Sequence, residues 1–404
     1  MIIYSLYKID IVSERAAKTV LGTGSPIDLR RYNRDAVLRV IKECGSVSRT
    51  EISDRVTLTN AAVSRITKEL IDVGLVEEGE RLVLKGQAGR RQVALRLAEQ
   101  GAYVLGIAVT LNARDVVVGN GRGDIIDRID CSDISLENPK TALRNFATRA
   151  ETLIQRTGID RKRLIGGAAS VAGRVDPIDG KIMGADPLDW DGQKVAASFE
   201  KQIGIPFVSE GRAAALLQVE RSQGPTSGLD DILLINVGLR LGAALMVDGN
   251  LLRGKTNDAF ALNNFPLTPN RTLDDDASGF AILAKMRELG RSQPTNIDPG
   301  SFLRLLAESD LGEDNEATSA FAQCGKVLGR VLCTLLPILS PQLVILAGAV
   351  VRQPAYVDGV KSKLGTMPFE LQTSHCTTAQ SAVQLALDHH LFNSRLNIDQ
   401  LMAA

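Results

Sequence analysis

Apolar positions recur at helical spacing in two short adjoining stretches near the N-terminus, with polar residues between them. From Ser48 to Gly74, SRTEISDRVTLTNAAVSRITKELIDVG, Ile52 faces inward from a first helix. After a turn at Thr57 to Thr59, a second helix repeats its apolar residues at Val63, Ile66, Leu70 and Val73. Ser48 and Glu51 form an S-x-x-E pair, a capping box that starts the first of these helices. The pattern predicts a helix-turn-helix. The polar face of its second helix carries Asn60, Ala61, Ser64, Arg65 and Lys68, small near the start and basic farther on, which suits a helix entering a DNA major groove. Upstream, an apolar repeat at Val37, Leu38, Val40 and Ile41 supplies a further helix. Downstream, Gly74 ends the second one, and Leu75 to Gly79 and Arg81 to Leu84 read as two strands paired around a turn, a wing. Arg90 and Arg91 follow Gly89 and are expected to lie against phosphates or in a minor groove.

Beyond the wing the texture changes to apolar strands alternating with amphipathic helices. Tyr103 to Thr110, Asp115 to Gly119 and Asp124 to Ile129 read as closely spaced strands, followed by a helix over Lys140 to Arg156, a strand over Leu164 to Val171, and a strand from Ile205 running into a helix over Ala213 to Glu220. The pattern then restarts with Asp231 to Val237 and Leu241 to Val247, helices over Ala277 to Leu289 and Thr318 to Leu339, and a strand over Leu343 to Leu346. Two similar α/β lobes are predicted.

Charge sharpens this division. The 404 residues carry 47 basic and 47 acidic side chains, yet Arg30 to Arg96 holds 14 Lys/Arg against 9 Asp/Glu, so nucleic-acid affinity belongs to the N-terminal unit. The surplus of five is modest, and a single module would bind weakly at physiological salt, which implies a dimer. No run approaches the ~20 apolar residues of a membrane span, and no signal peptide opens the chain, so a cytoplasmic protein without membrane partners is expected. Five cysteines without a C-x-x-C pair argue for reduced thiols, and three histidines, all near the C-terminus, supply neither histidine catalysis nor a metal site.

The succession of Asn33-Arg34-Asp35, Ser48-Arg49-Thr50-Glu51-Ile52, Val63-Ser64-Arg65-Ile66, Gly74-Leu75-Val76 and Gly89-Arg90-Arg91 resembles the winged-helix end of the ROK family, which mixes sugar-responsive repressors with sugar kinases. The resemblance continues through Gly166 to Asp176, similar to the family's strand ending in P-G-x-V-D. Further on, Gly204 to Val208 with Ala213 to Leu216 is similar to its G-x-P-V-x-x-E-N-D-A-N-A-A-A-L segment, and Val247-Asp248-Gly249 with Arg253-Gly254 to its second hairpin. It implies a two-lobed actin-like ATPase fold with a ligand cleft between the lobes.

Departures from the family pattern bear on activity. The D-x-G-G-T phosphate loop of the kinases is replaced by Ala108-Val109-Thr110-Leu111-Asn112, and G-T-G-x-G by Gly238-Leu239-Arg240-Leu241-Gly242. The catalytic aspartate falls on Glu210, with Ser209 in place of the preceding asparagine. Neither the histidine nor the cysteines of the family's zinc site occur over Asp258 to Asp276. Asn264 takes the histidine position, Ala261 a sugar-binding glutamate position and Asp274 a later glutamate position. Asp274-Asp275-Asp276 reads as helix capping or surface charge rather than a metal site, Trp190 as core or cleft wall, and His389-His390 as a surface or packing pair.

The sequence therefore predicts an N-terminal extension over 1–29, a winged helix-turn-helix over 30–98 and a two-lobed actin-like ROK-type domain over 99–404, without enzymatic activity, cofactor or metal. DNA contacts are expected from Arg49, Asn60, Ala61, Ser64, Arg65, Lys68, Arg90 and Arg91 on a palindromic double-stranded operator. Effector contacts are expected from Ser209, Glu210, Asn264 and Asp274. The resemblance implies a repressor, homodimeric or tetrameric, whose operator binding is set by a sugar or sugar-derived molecule. An ATP-dependent sugar kinase carrying a DNA-binding domain and a DNA-binding dimer without any ligand are the competing readings.

Overall fold

The computed structural model describes residues 26–82, 92–184, 188–222, 228–254, 260–291, 293–312, 315–393, 396, 398 and 401. Helices Pro26–Cys44, Arg49–Arg55 and Asn60–Asp72 form the N-terminal unit with a three-stranded antiparallel sheet ordered Val47–Ser48, Gln92–Leu97, Val76–Leu82. The capping box is made: Glu51 N–H donates to Ser48 Oγ at 3.2 Å, and Ser48 N–H to the Glu51 carboxylate at 2.9 Å. Thr59 caps the next helix through Ala62 N–H at 3.2 Å. Ile52, Val63, Ile66 and Leu70 are buried, as their spacing requires.

The wing differs from its prediction. Val76–Leu82 is one strand that pairs with Gln92–Leu97, not two strands turning at Gly79. The register shifts between Glu78 and Arg81, so Gly79 and Glu80 are taken up as a bulge inside the strand instead of reversing it. Val83 and Leu84 of the expected second strand, and Arg90 and Arg91, fall outside the described residues.

Two five-stranded sheets follow. The first is ordered Phe207–Gly211, Leu164–Val171, Tyr103–Val109, Arg114–Asn120, Ile125–Asp130, and the second Glu370–Thr373, Leu343–Ala347, Ile232–Val237, Leu241–Val247, Asn250–Leu251. In each, a consecutive antiparallel set supplies one half and parallel strands reached by helical crossovers supply the other. The repeated plan is the pair of lobes that the sequence predicts.

Trp190 is buried in the first lobe's core, where its indole N–H donates to Leu136 O at 2.8 Å. The 24-residue helix Glu316–Leu339 is long and apolar enough to cross a membrane by length and composition, which the sequence reading did not anticipate. Its apolar stripe, Phe321, Cys324, Leu328, Leu332 and Leu336, fills the second lobe's core, while Lys326 and Arg330 are exposed midway along it.

The C-terminal helix Thr378–His390 joins the two parts of the chain. It lies so close to the first sheet that a Cβ on Gly119 would stand 2.4 Å from Val383 Cγ1, and one on Gly166 would stand 2.5 Å from the His390 ring. Its Ala379, Val383, Ala386 and Leu387, with Phe392, share one apolar cluster with Val37, Leu38, Ile52 and Leu70 of the N-terminal unit. Polar bonds reinforce the junction. Lys42 pairs with Asp388 at 2.9 Å, and Arg34 and Arg39 donate to the carbonyls of Leu396 and Phe392. Arg163 donates to Gly101 O at 2.8 Å and Val73 O at 3.3 Å, fixing the end of the second helix-turn-helix helix onto the first lobe.

His390 is half-buried, with Nε2 3.1 Å from Gly167 O, so this residue is a packing element rather than a surface one; His389 is exposed. Burial holds the His390 pKa below its ordinary 6.5. A folded-state pKa below the unfolded one means that the unfolded chain takes up the proton first as pH falls. Stability from His390 is thus present above pH 6.5 and is lost below it. His390→Asn is expected to reduce the fall in Tm between pH 7.5 and pH 5.5 by roughly 1–3 °C, as read by calorimetry at both pH values.

Candidate nucleic-acid interface and ligand cleft

The helix Asn60–Asp72 buries one side and leaves the other bare. Asn60, Ala61, Ser64, Arg65 and Lys68 are all exposed, spaced three or four residues apart, and so share one face. Neither Arg65 nor Lys68 makes an ion pair among the described residues. Thr67, on the flank of that face, is fully buried and bonds back to Ser64 O at 3.2 Å.

Arg49 does not join that face. Its Nε donates to Thr67 Oγ1 at 3.1 Å and its Nη2 to Glu78 at 2.8 Å. The first residue of a short helix projects back over the neighbouring helix and wing strand, and its guanidinium is spent bracing them.

Between the lobes lies a cavity of about 410 Å³ whose lining includes Glu210, Asn264 and Asp274 but not Ser209. Side chains alternate along the strand Phe207–Gly211, so Ser209 shares the side of Phe207, which packs with Phe199 in the first lobe's core. Glu210 points into the cavity. One of its carboxylate oxygens accepts from Gly211 N–H at 2.9 Å, and Arg253 closes on the carboxylate from the second lobe.

In the loop Gly238 to Gly242 a side chain of the protein already takes one backbone amide. Asp274, only 4% exposed, accepts from Leu241 N–H at 2.7 Å and from Arg240 Nη1 at 2.6 Å. Gly279 N–H donates to Gly238 O at 2.8 Å. An internal carboxylate thus occupies a backbone amide of the very loop that would receive a phosphate. Burial raises the Asp274 pKa, against those two bonds. Asp275 instead caps its own helix through Thr272 N–H at 2.8 Å, and Asp276 pairs with Arg271, so the three aspartates face three different ways. Among the described residues no group of His, Cys, Asp and Glu is arranged to hold a metal.

The cavity also contains residues that the sequence reading did not single out as a site: Asn112, Arg174, Arg212, Asn236, Arg240 and Arg253. Arg212 opens the helix that follows the strand Phe207–Gly211, while Asn112 and Arg240 lie in the loops that replace the two phosphate loops. What they face is set by segments far away in the chain.

Residues 104–386 match the ROK family profile, and residues 31–77 match a winged helix-turn-helix DNA-binding profile. The chain is 24% identical over 335 residues to the xylose repressor of Caldicellulosiruptor bescii, covering 79% of this chain and 83% of that one. It is 20% identical over 339 residues to the DNA-binding transcriptional dual regulator NagC of Escherichia coli (strain K12), covering 80% and 82%. A ROK family transcriptional regulator of solved structure, described as a homolog of the E. coli MLC protein, superposes with a TM-score of 0.71 at 18% identity, covering 93% of this chain and 100% of that one. With its family profile spanning both lobes and a winged helix ahead of them, the chain belongs to the ROK family.

Proposed function

We propose that this protein is a carbohydrate-responsive transcriptional repressor that binds a palindromic operator as a homodimer or a dimer of dimers and releases it when a small molecule enters the interlobe cleft. The observation that carries the reading is the exposed, unspent face of Asn60, Ala61, Ser64, Arg65 and Lys68 on a helix whose other side is fully packed. Relatives named as repressors and regulators along most of the chain's length support it.

The cleft is coupled to this face through the C-terminal helix. Ser381 Oγ donates to Ser170 Oγ at 3.2 Å, and Ser170 is the register partner of Glu210 on the adjoining strand. At its other end the helix holds the N-terminal unit through Asp388 and Lys42. An effector that favours one lobe arrangement would move the helix seat, and with it the spacing of two winged helices on two half-sites. Such a shift requires different affinities for the two arrangements.

The reading also excludes phosphoryl transfer. Counted without a gap from Gly204 and Pro206, the family segment puts its glutamate on Glu210, its asparagine on Gly211 and its aspartate on Arg212. The strand ending at Gly211 and the helix beginning at Arg212 favour that register over one with the aspartate on Glu210. A cation then stands where the kinases keep their base.

The test is selection of bound sequences from random DNA, followed by gel shift on the enriched site with and without a metabolite panel. A two-fold symmetric site released by a panel member is expected, and no enrichment over random DNA would refute the reading. Lys42→Ala with Asp388→Ala is expected to leave operator affinity within about two-fold while weakening effector-driven release by roughly 3- to 30-fold, the range for residues that carry coupling. The dose of effector needed for half-release measures it.

A further inference from the structure

Four arginines and two carboxylates are the charged groups among the described residues lining the interlobe cavity. Asp274 is matched by Arg240 and Glu210 by Arg253. Arg212 has no such match: its Nη1 donates to a neutral acceptor, Asn112 Oδ1, at 3.2 Å, and its Nε is shielded from solvent without a hydrogen-bond partner. The charged neighbour that acts on it is another cation, Arg352, and the nearby Cys376 thiol, its pKa pushed up to about 12, stays neutral. Burial lowers the Arg212 pKa to about 10, which leaves the guanidinium positive at neutral pH. A half-buried cation without a counter-charge is better matched when a ligand supplies one.

The position is as informative as the charge. A Cβ on Gly238 would stand 3.5 Å from Arg212 Nη1 and 3.7 Å from Asn112 Nδ2, so the guanidinium sits between the loops of the two lobes. It also lies at the start of the 11-residue helix Arg212–Ser222, where the peptide dipoles favour an anion. A second unmet group shares the cavity. Asn236 is only 6% exposed, and its Oδ1 is buried without a partner, an acceptor waiting for a hydroxyl or N–H donor.

We infer that the cleft takes a polyhydroxylated ligand bearing an anionic group, a phosphate or a carboxylate, which pairs with the Arg212 guanidinium while Asn236 accepts from a ligand hydroxyl. The inference rests on the cleft being the effector site. Guanidinium binds either anion through its N–H donors, of which Nη1 is the one engaged here, on a neutral acceptor that an anion outcompetes. A neutral sugar would satisfy Asn236 but leave the half-buried Arg212 charge unmatched, so the charged derivative of a sugar is selected over its neutral parent.

The experiment uses the full chain and measures Tm shifts and calorimetric titrations with xylose, glucose and N-acetylglucosamine, their phosphates, glucuronate and xylonate, and inorganic phosphate. At least one charged member is expected to bind at least tenfold more tightly than its neutral parent. Arg212→Met is expected to lose on the order of 100-fold in that affinity. Arg212→Lys is expected to retain part of it. Without ligand, Arg212→Met should be as heat-stable as the wild type or more so, because a half-buried charge without a counter-charge is gone; a purely structural arginine would instead give a lower Tm. Equal binding of neutral and charged members, unchanged affinity in Arg212→Met, or binding by none of the charged members would overturn the inference. Protection by inorganic phosphate as strong as by any sugar phosphate would overturn its polyol part. A gel shift of the unliganded protein separates the two readings. Operator binding that only a neutral sugar relieves defeats the anion inference alone, whereas no operator binding defeats the repressor reading itself.

Discussion

Arg65→Ala is expected to weaken binding to the selected operator by about 1–3 kcal/mol, roughly 5- to 150-fold, while changing affinity for random DNA far less. Arg65 is exposed in the middle of the bare face, one turn beyond Ala61 and beside Ser64, and it has no ion pair among the described residues that would hold it back from a base edge. A planar guanidinium can bond guanine O6 and N7 together, so its loss removes discrimination as well as charge. Lys68 is the internal control. One turn farther along the same helix, it is placed for the phosphate backbone, so Lys68→Ala should weaken all sequences alike and lower the log–log salt slope by about one. Both side chains are exposed, and either substitution should leave fold stability within about 0.5 kcal/mol. Competition gel shifts at three salt concentrations read all of these quantities. Equal loss on operator and random DNA for Arg65→Ala would make the helix a phosphate clamp and move sequence reading to the wing.

The parts of this structure that the sequence disclosed were those whose signals are local. Ser48 and Glu51 announce a helix start because both partners of the capping box lie within one turn. Leu164–Val171 and Leu241–Val247 were placed to the residue because each is an apolar run bounded by turn-forming residues. Glu370–Thr373 went unread, since a short edge strand of mixed polarity is specified by its parallel neighbour Leu343–Ala347, more than twenty residues away. Helices Pro299–Glu308 and Pro354–Leu364 were also missed, although each has proline at its first turn.

The same division runs through the candidate sites. The face of Asn60, Ala61, Ser64, Arg65 and Lys68 was legible because helical period alone decides it. The partners of Arg49 and the direction of Ser209 were not legible, because Glu78 lies across the module and strand alternation turns Ser209 away from the cavity. Arg212 could not be weighed at all without Asn112 and Gly238, which tertiary structure brings to it from about a hundred residues upstream and from the second lobe.

No ADP release above background is expected from this protein with magnesium, ATP and any of the neutral sugars above, against the 1–100 s⁻¹ typical of kinases. Transfer of a phosphoryl group depends on holding the γ-phosphate and its metal in line with an activated hydroxyl, and each of those requirements meets an obstacle here. Leu241 N–H, in the second phosphate loop, is already bonded to Asp274. Thr110 and Leu111 carry side chains where the first loop of the kinases has glycines, and the Asn112 side chain that follows them accepts from Arg212. Glu210, the carboxylate that remains, is held by Arg253 and by Gly211 N–H. Arg212→Asp alone should not restore turnover, since it supplies a base but neither loop. Phosphate attraction by Arg212 is not evidence against this expectation, because binding an anion equally before and during transfer lowers no barrier. A coupled assay showing sugar-dependent turnover above about 1 s⁻¹, abolished by Glu210→Ala, would instead establish a kinase that carries a DNA-binding domain.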